Sequence, residues 1–61
     1  MNSLEIKVLR LCARGLSTMQ ISAALGYSER AITEAIHRVT SRLGLRNRTH
    51  AVAWAIRAHE L

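Results

Sequence analysis

Arginine residues concentrate in the second half of this sequence. Five of them lie between positions 30 and 48, namely Arg30, Arg38, Arg42, Arg46 and Arg48. A guanidinium group donates two parallel hydrogen bonds to a phosphate, which suits arginine to contacts with a nucleic-acid backbone. A solvated basic surface that only keeps the protein soluble is the alternative interpretation. As a group, these arginines favour a phosphate-rich partner.

Polar side chains between these arginines are candidates for reading base edges. His37 carries donor and acceptor nitrogens without a fixed charge, Arg38 can pair with guanine, and Glu34 can accept a hydrogen bond from cytosine. Glu34 has a second interpretation, an ion pair with Arg30 or Arg38, each four residues away. The candidate base-reading residues are Thr33, Glu34, His37 and Arg38.

The charge of the whole chain is consistent with such a partner. Nine Lys and Arg against four Asp and Glu give the 61 residues a net charge of +5, which favours nucleic acid or an acidic membrane surface. No apolar run approaches the roughly 18 residues that span a bilayer. The first residues lack the pattern of a secretory signal. We therefore expect a cytoplasmic protein with no membrane partner.

Cysteine and histidine spacing predicts neither a metal site nor catalysis. Cys12 has no second cysteine to pair with, and its apolar neighbours favour a small buried side chain over a reactive thiol. His37, His50 and His59 are too widely separated to suggest a zinc site. No oxyanion-hole motif accompanies the serines and histidines. We expect no metal, no cofactor and no enzymatic activity.

Capping residues and glycines divide the chain into four predicted helices. A capping box pairs a cap side chain with the third helical residue, and a glycine commonly follows the last turn. The glycines that end the first three helices are Gly15, Gly26 and Gly44. The start signals are two capping boxes, Asn2 with Glu5 and Ser17 with Gln20, and two single caps, Ser28 and Asn47.

The third predicted helix has one apolar and one polar side. At helical spacing its apolar residues form a single stripe with Ala35 at the edge, and the opposite side is polar and basic. This helix follows a two-turn helix and a turn of about three residues. Helix-turn-helix DNA-binding proteins have this arrangement. The stripe consists of Ile32, Ile36, Val39 and Leu43, and the polar side of Arg30, Glu34, His37 and Ser41, flanked by Thr33 and Arg38.

Three segments together resemble one family. Glu5 with Val8 and Leu9 matches the opening "R-E-x-E-V-L" of the LuxR/FixJ (GerE-type) DNA-binding domains. The run 15–28, "GLSTMQI…LGYS", is similar to their "G-L-S-x-x-x-I-A-x-x-L-x-I-S". The run 43–52, "LGLRNRTHAV", is similar to their "L-G-V-x-N-R-x-x-A-V". The segments occur in order and without gaps, so the resemblance covers essentially the whole chain.

This resemblance implies an all-α fold, a four-helix bundle with a tri-helical helix-turn-helix core, spanning residues 1–61 as one domain. It implies the output domain of a bacterial transcription regulator on the nucleoid, with a recognition helix at about 29–43 in the major groove of duplex DNA. RNA polymerase is a further partner that it suggests. We expect either a domain cut from a longer regulator or a regulator that stands alone, and Met1, where the family has a leading Leu, favours the former.

The recognition helix departs from the family pattern. Ala31, Thr33 and Ala35 stand where the family commonly has Thr, Lys and His, and Ser22 replaces a usual Ala in the second helix. The family's sequence preference is therefore not carried over. The same departures, with Glu34, support an alternative function: a protein-interaction module of this fold that has lost DNA reading and pairs with a regulator or polymerase subunit.

The start of the second helix offers additional phosphate contacts. Ser17 is expected to cap this helix, and Thr18, with a free hydroxyl, is the better phosphate candidate. Arg48 has two interpretations, a phosphate contact or a brace for the fourth helix. The candidate phosphate-binding residues are Thr18, Ser28, Arg30, Arg42, Arg46 and Arg48.

The fourth helix is expected to form a homodimer contact. Trp54 and Arg57 lie on one side of it, and a ridge of alanines permits close helix approach. The alternative is that Trp54 folds back over the first helix and completes a thin core. The side of the helix opposite Trp54 and Arg57 contains Val52, Ala55, Ile56 and His59. The expected dimer residues are Ala51, Trp54, Ala55 and Ala58.

Overall fold

The computed structural model describes residues 2–58, which form four α-helices. They are α1 (Ser3–Ala13), α2 (Thr18–Leu25), α3 (Glu29–Leu43) and α4 (Arg48–Arg57). The all-α prediction is confirmed. Each helix begins directly after its predicted cap, and the first three end one or two residues before their predicted glycines. Met1 and residues 59–61, including the His59 of the fourth-helix prediction, lie outside the described residues.

Side-chain caps start all four helices. In α1 the Asn2 Oδ1 accepts from the Glu5 amide at 2.8 Å while the Glu5 Oε1 accepts from the Asn2 amide at 3.2 Å. Ser17 and Gln20 make the same reciprocal pair at α2. These bonds satisfy amide groups that have no partner within the helix. The single caps bond as predicted, Ser28 Oγ to the Ala31 amide and Asn47 Oδ1 to the His50 amide.

Two helices end in turns that redirect the chain into the core. Gly15 has a φ of +89° and Gly44 a φ of +67°, backbone conformations that strain any residue with a Cβ. The amide of the next residue, Leu16 or Leu45, then donates to the carbonyl five residues earlier, at 3.1 and 2.8 Å. Both leucines pack against the buried core. The turns therefore direct α2 and α4 back across α1 and α3.

The turn between α2 and α3 is held by a side chain. Gly26 ends α2 at a φ of +74°, and the Ser22 hydroxyl donates to the carbonyl of Tyr27. The serine that departs from the family pattern thus ties α2 to the turn. The geometry of this turn sets the angle at which α3 leaves α2.

The core consists of two clusters. The first joins α1, α2 and α3, the predicted tri-helical unit, and the second attaches α4 to α1 and the last turns of α3. Ala35, expected at the edge of the apolar stripe, is fully buried in the first cluster. The fully buried members are Val8, Ile21, Ile32 and Ala35 in the first cluster and Leu9, Val39, Ala51 and Ala55 in the second.

The core-facing side of α4 contains two of the four expected dimer residues. Ala51 and Ala55 are both 0% exposed, and Trp54 is half-buried against the same cluster. The expectation of an accessible alanine ridge is therefore wrong for Ala51 and Ala55. Trp54 packs against the cluster that contains Leu9 of α1, in agreement with the fold-back alternative. The small alanines allow α4 to approach α1 and α3 closely, while Ile56 remains 54% exposed. Of the expected dimer residues, only Ala58 is exposed.

Candidate nucleic-acid interface

The outward side of α3 is a continuous polar surface, which we call the reading face. It comprises Arg30, Thr33, Glu34, His37 and Ser41, all of them exposed. Ile32, Ala35 and Val39 lie on the opposite side and are fully buried. The stripe therefore fixes the rotation of α3, and no apolar residue interrupts the reading face. A helix that protrudes in this way has the shape that enters a major groove.

One ion pair and one side-chain hydrogen bond lie on the reading face. Arg30 Nε and Glu34 Oε1 are 3.1 Å apart, with 88% and 55% of their side chains exposed. Such exposed pairs contribute about 0.2–1 kcal/mol, so a phosphate can displace Glu34 from Arg30 at little cost. Farther along, the Ser41 hydroxyl lies 3.3 Å from His37 Nε2. Of the two interpretations of Glu34, the described structure contains the ion pair with Arg30.

Glu5 is a buried carboxylate that contacts two of the predicted DNA-binding arginines. Its side chain is 1% exposed, and it accepts from Arg42 Nη2 at 2.7 Å and from Arg38 Nε at 3.5 Å. Both arginines remain half-exposed, at 49% and 48%. Sequence reasoning had given Glu5 only a capping role. A signal was present, because Glu5 shares one side of α1 with the core residues Val8 and Leu9.

We predict that the protein loses stability in acid as Glu5 gains a proton. The hydrogen bond from Arg42 lowers the pKa of Glu5 below its ordinary value of 4.5, and it outweighs the opposing effect of burial. A lowered folded-state pKa means that the stabilisation is present above the unfolded pKa and is lost as pH falls through the folded value.

The thermal unfolding midpoint should therefore fall as pH decreases from about 5 to about 3. The variant Glu5→Gln should be less stable at neutral pH but lose less on acidification. Circular dichroism melts of both proteins across this range provide the measurement. An equal loss in the two proteins would show that other carboxyl groups control the acid response.

Arg48 connects α4 to the start of α2. Its Nη2 donates to the carbonyl of Leu16 at 2.7 Å, and its Nη1 donates to Thr18 Oγ1 at 3.2 Å. The bracing interpretation of Arg48 thus describes the structure, with α2 as the helix that it braces. Thr18 is half-buried and its hydroxyl oxygen accepts this bond, so the expectation of a free Thr18 hydroxyl is wrong. Its hydroxyl proton remains available for a donor role.

Basic side chains also cover a second surface, on α1. Lys7, Arg10 and Arg14 recur at helical spacing and are all exposed. They lie on the side of α1 away from Val8 and Leu9 and hence away from the reading face. Sequence reasoning did not single them out. Because of this second surface, the net charge by itself does not locate a binding site.

A shallow apolar groove runs between the end of α1 and α4. Its volume is about 310 Å³. Cys12 and Ile56 both line the groove. Burial raises the pKa of the Cys12 thiol, whereas Ile56 is exposed. Its lining residues are Cys12, Ala13, Arg48, Thr49, Val52, Ala53 and Ile56.

The described residues offer few other kinds of site. Among residues 2–58 there is no group of three or more His, Cys, Asp or Glu side chains that could hold a metal ion. In the same part of the chain, no helix is long and apolar enough to cross a membrane. The reading face and the groove are therefore the candidate binding surfaces of the described residues.

Comparison with known protein families identifies a match over most of the chain. The family described as bacterial regulatory proteins, luxR family (GerE), matches residues 3–55. A comparison with curated proteins gives no match. The matched residues extend from the first turn of α1 into α4 and contain the two helices and the turn that carry the reading face. The chain therefore belongs to the GerE (luxR) family of bacterial regulatory proteins, as a helix-turn-helix DNA-binding domain.

Proposed function

We propose that this domain recognises a promoter sequence by placing α3 in the major groove, as the output domain of a bacterial transcription regulator. The reading face supports this most directly, because α3 carries an uninterrupted polar surface over a buried apolar stripe. Thr33 and His37 lie exposed at the centre of that surface. In the proposal both side chains contact base edges. Arg38, at the side of the reading face, contacts base edges with the donors that are not bonded to Glu5.

Phosphate contacts in this proposal lie at the ends of the reading face and around it. Arg30 and Arg46 are exposed, and the half-exposed Arg42 retains donors beyond its bond to Glu5. At the start of α2, the first amides, the Thr18 hydroxyl and Arg48 are close together and favour an anion. Ser28 offers its hydroxyl at the equivalent end of α3. These contacts fix the register of α3 and carry no sequence information themselves.

A DNA titration at several salt concentrations tests this function. A duplex should first be selected from a random-sequence pool, and binding to it then measured by fluorescence anisotropy. About four phosphate contacts in each domain predict that the logarithm of affinity falls against the logarithm of salt with a slope of about −3.6 for each bound domain. Binding that is absent, or insensitive to salt, would overturn the proposal and favour the protein-interaction module instead.

We also propose that the domain pairs through the exposed side of α4. The groove with Val52, Ala53 and Ile56 supports this contact, because it leaves apolar side chains accessible to solvent. A two-fold dimer would present two recognition helices to successive turns of a palindromic site. RNA polymerase at the promoter and a location on the bacterial nucleoid belong to the same proposal.

Sedimentation equilibrium tests the pairing. The variant Ile56→Asp should weaken self-association at least tenfold, because it places a charge in an apolar contact. The matched control is Ala23→Asp on α2, which adds the same charge at an exposed position outside the groove. Equal effects of the two variants, or a wild-type protein that is monomeric both free and on DNA, would contradict the proposed contact.

A further inference from the structure

We infer that Glu5 is a positioning residue for DNA recognition, which acts by holding Arg38 and Arg42 in one orientation on the surface of α3. The inference rests on the proposed function, since it concerns how these two arginines meet DNA. It assigns a role in sequence discrimination to a buried carboxylate on a helix that does not itself carry the reading face.

The Glu5 carboxylate is fixed before any DNA arrives. Its side chain is 1% exposed, and its Oε1 accepts from the Asn2 amide at 3.2 Å through the capping box. The same Oε1 accepts from Arg42 at 2.7 Å, while Oε2 accepts from Arg38 at 3.5 Å. Both carboxylate oxygens are thus used, and the α1 cap sets their position. The two arginines therefore bond to a rigid acceptor.

The two guanidinium groups keep donors for a second partner. A guanidinium carries five N–H donors in a planar fork. Arg38 uses only its Nε–H for the bond to Glu5, and Arg42 uses only one Nη2 hydrogen. About half of each side chain remains exposed. One edge of each fork is therefore anchored while the rest is available to a phosphate or a guanine. Folding already restricts the motion of these two side chains, so less conformational entropy is lost when DNA binds.

Glu5 also lowers the positive potential of the same surface. One buried negative charge lies in contact with two of the arginines beside the reading face. It weakens attraction to any duplex, whatever its sequence, because non-specific affinity follows the cations available to phosphate. Glu5 therefore has two effects. Holding the arginines in one orientation favours the specific DNA site, and neutralising part of their charge weakens binding to every other sequence.

The variant Glu5→Gln separates this role from capping. A glutamine retains the capping bond, as Gln20 does in α2, but removes the charge that binds the arginines. The control Glu29→Gln changes the net charge equally at an exposed residue for which no ion pair is found among the described side chains. Affinity is measured at low temperature for the selected duplex and for an unrelated duplex of equal length.

We expect Glu5→Gln to lower the ratio of specific to non-specific affinity about tenfold, partly by strengthening non-specific binding. Glu29→Gln removes a negative charge from the first turn of α3, so it should strengthen binding to both duplexes alike and leave that ratio unchanged within about twofold. An equal loss of affinity for both duplexes in Glu5→Gln would indicate a stability effect alone and would overturn the inference.

A second variant addresses the case in which Glu5→Gln does not fold. Arg42→Lys keeps the charge, but an ammonium lacks the planar fork that bonds a carboxylate and a phosphate in fixed geometry. We expect its specificity ratio to fall about fivefold with an unchanged salt slope, whereas Arg10→Lys on α1 should not change the ratio. An unchanged ratio in Arg42→Lys overturns the inference alone, because wild-type binding persists. Loss of salt-dependent binding in the wild-type protein overturns the proposed function as well.

Discussion

Replacing both Arg30 and Arg46 with alanine is expected to weaken DNA binding about 100-fold at low salt. Both side chains are exposed, Arg30 on the reading face and Arg46 in the turn after α3, and neither contacts Glu5. Each substitution removes one charge-assisted phosphate contact. The slope of the logarithm of affinity against the logarithm of salt should therefore become shallower by about 1.8. The Arg30 change also leaves Glu34 without its ion-pair partner on the face that meets phosphate. Anisotropy titrations at three salt concentrations measure both quantities.

The matched control for this prediction is Lys7→Ala with Arg10→Ala on α1. It removes the same net charge from the surface that faces away from α3. Only long-range attraction is affected, and that attraction is screened over about 10 Å at moderate salt. We expect a loss below about fivefold. A control that weakens binding as much as the reading-face variant would move the DNA-binding surface to α1.

Replacing Glu5 with alanine is expected to lower the free energy of unfolding by about 3 kcal/mol. The substitution removes the reciprocal cap of α1 and the carboxylate that ties α1 to Arg38 and Arg42 on α3. Breaking a fully buried pair costs about 3–5 kcal/mol. Here the ion pairs contribute only about 2 kcal/mol, because water can solvate the half-exposed arginines, and the cap contributes about 1 kcal/mol. A chain of this length has little stability in reserve.

Urea denaturation of Glu5→Ala and Glu5→Gln divides the two contributions. Glutamine preserves the cap and loses only the ion pairs, so it should cost about 2 kcal/mol, about 1 kcal/mol less than alanine. Equal losses in the two variants would mean that the cap contributes nothing. A loss below about 0.5 kcal/mol in both would mean that the Glu5–Arg42 contact is energetically neutral.

The departures from the family pattern in α3 differ in what they mean for DNA reading. Ala35 stands where the family commonly has His, and it is fully buried between helices, so this difference belongs to the core. Ala31 is half-buried at the start of α3. Only Thr33 lies fully on the reading face. If the proposed function holds, a different base preference would arise chiefly at Thr33 and at the neighbouring His37.

The amino-acid sequence by itself determined the helices and the rotation of α3. These features depend on residues at most a few positions apart. Examples are the cap of Asn2 with Glu5, the left-handed backbone of Gly26 and the apolar stripe through Ile32 and Val39. Local backbone geometry follows directly from such patterns. The family resemblance was carried by the same segments, and it is confirmed.

The tertiary structure decided which contacts join the helices. Glu5 meets Arg38 and Arg42 across separations of 33 and 37 residues, and Arg48 meets Leu16 across 32. No local spacing encodes such pairs. The buried side of α4 was likewise ambiguous, because alanines occur around much of that helix and burying a methyl group changes free energy little. Only packing against α1 and α3 selected Ala51 and Ala55 for the core and left Ile56 outside.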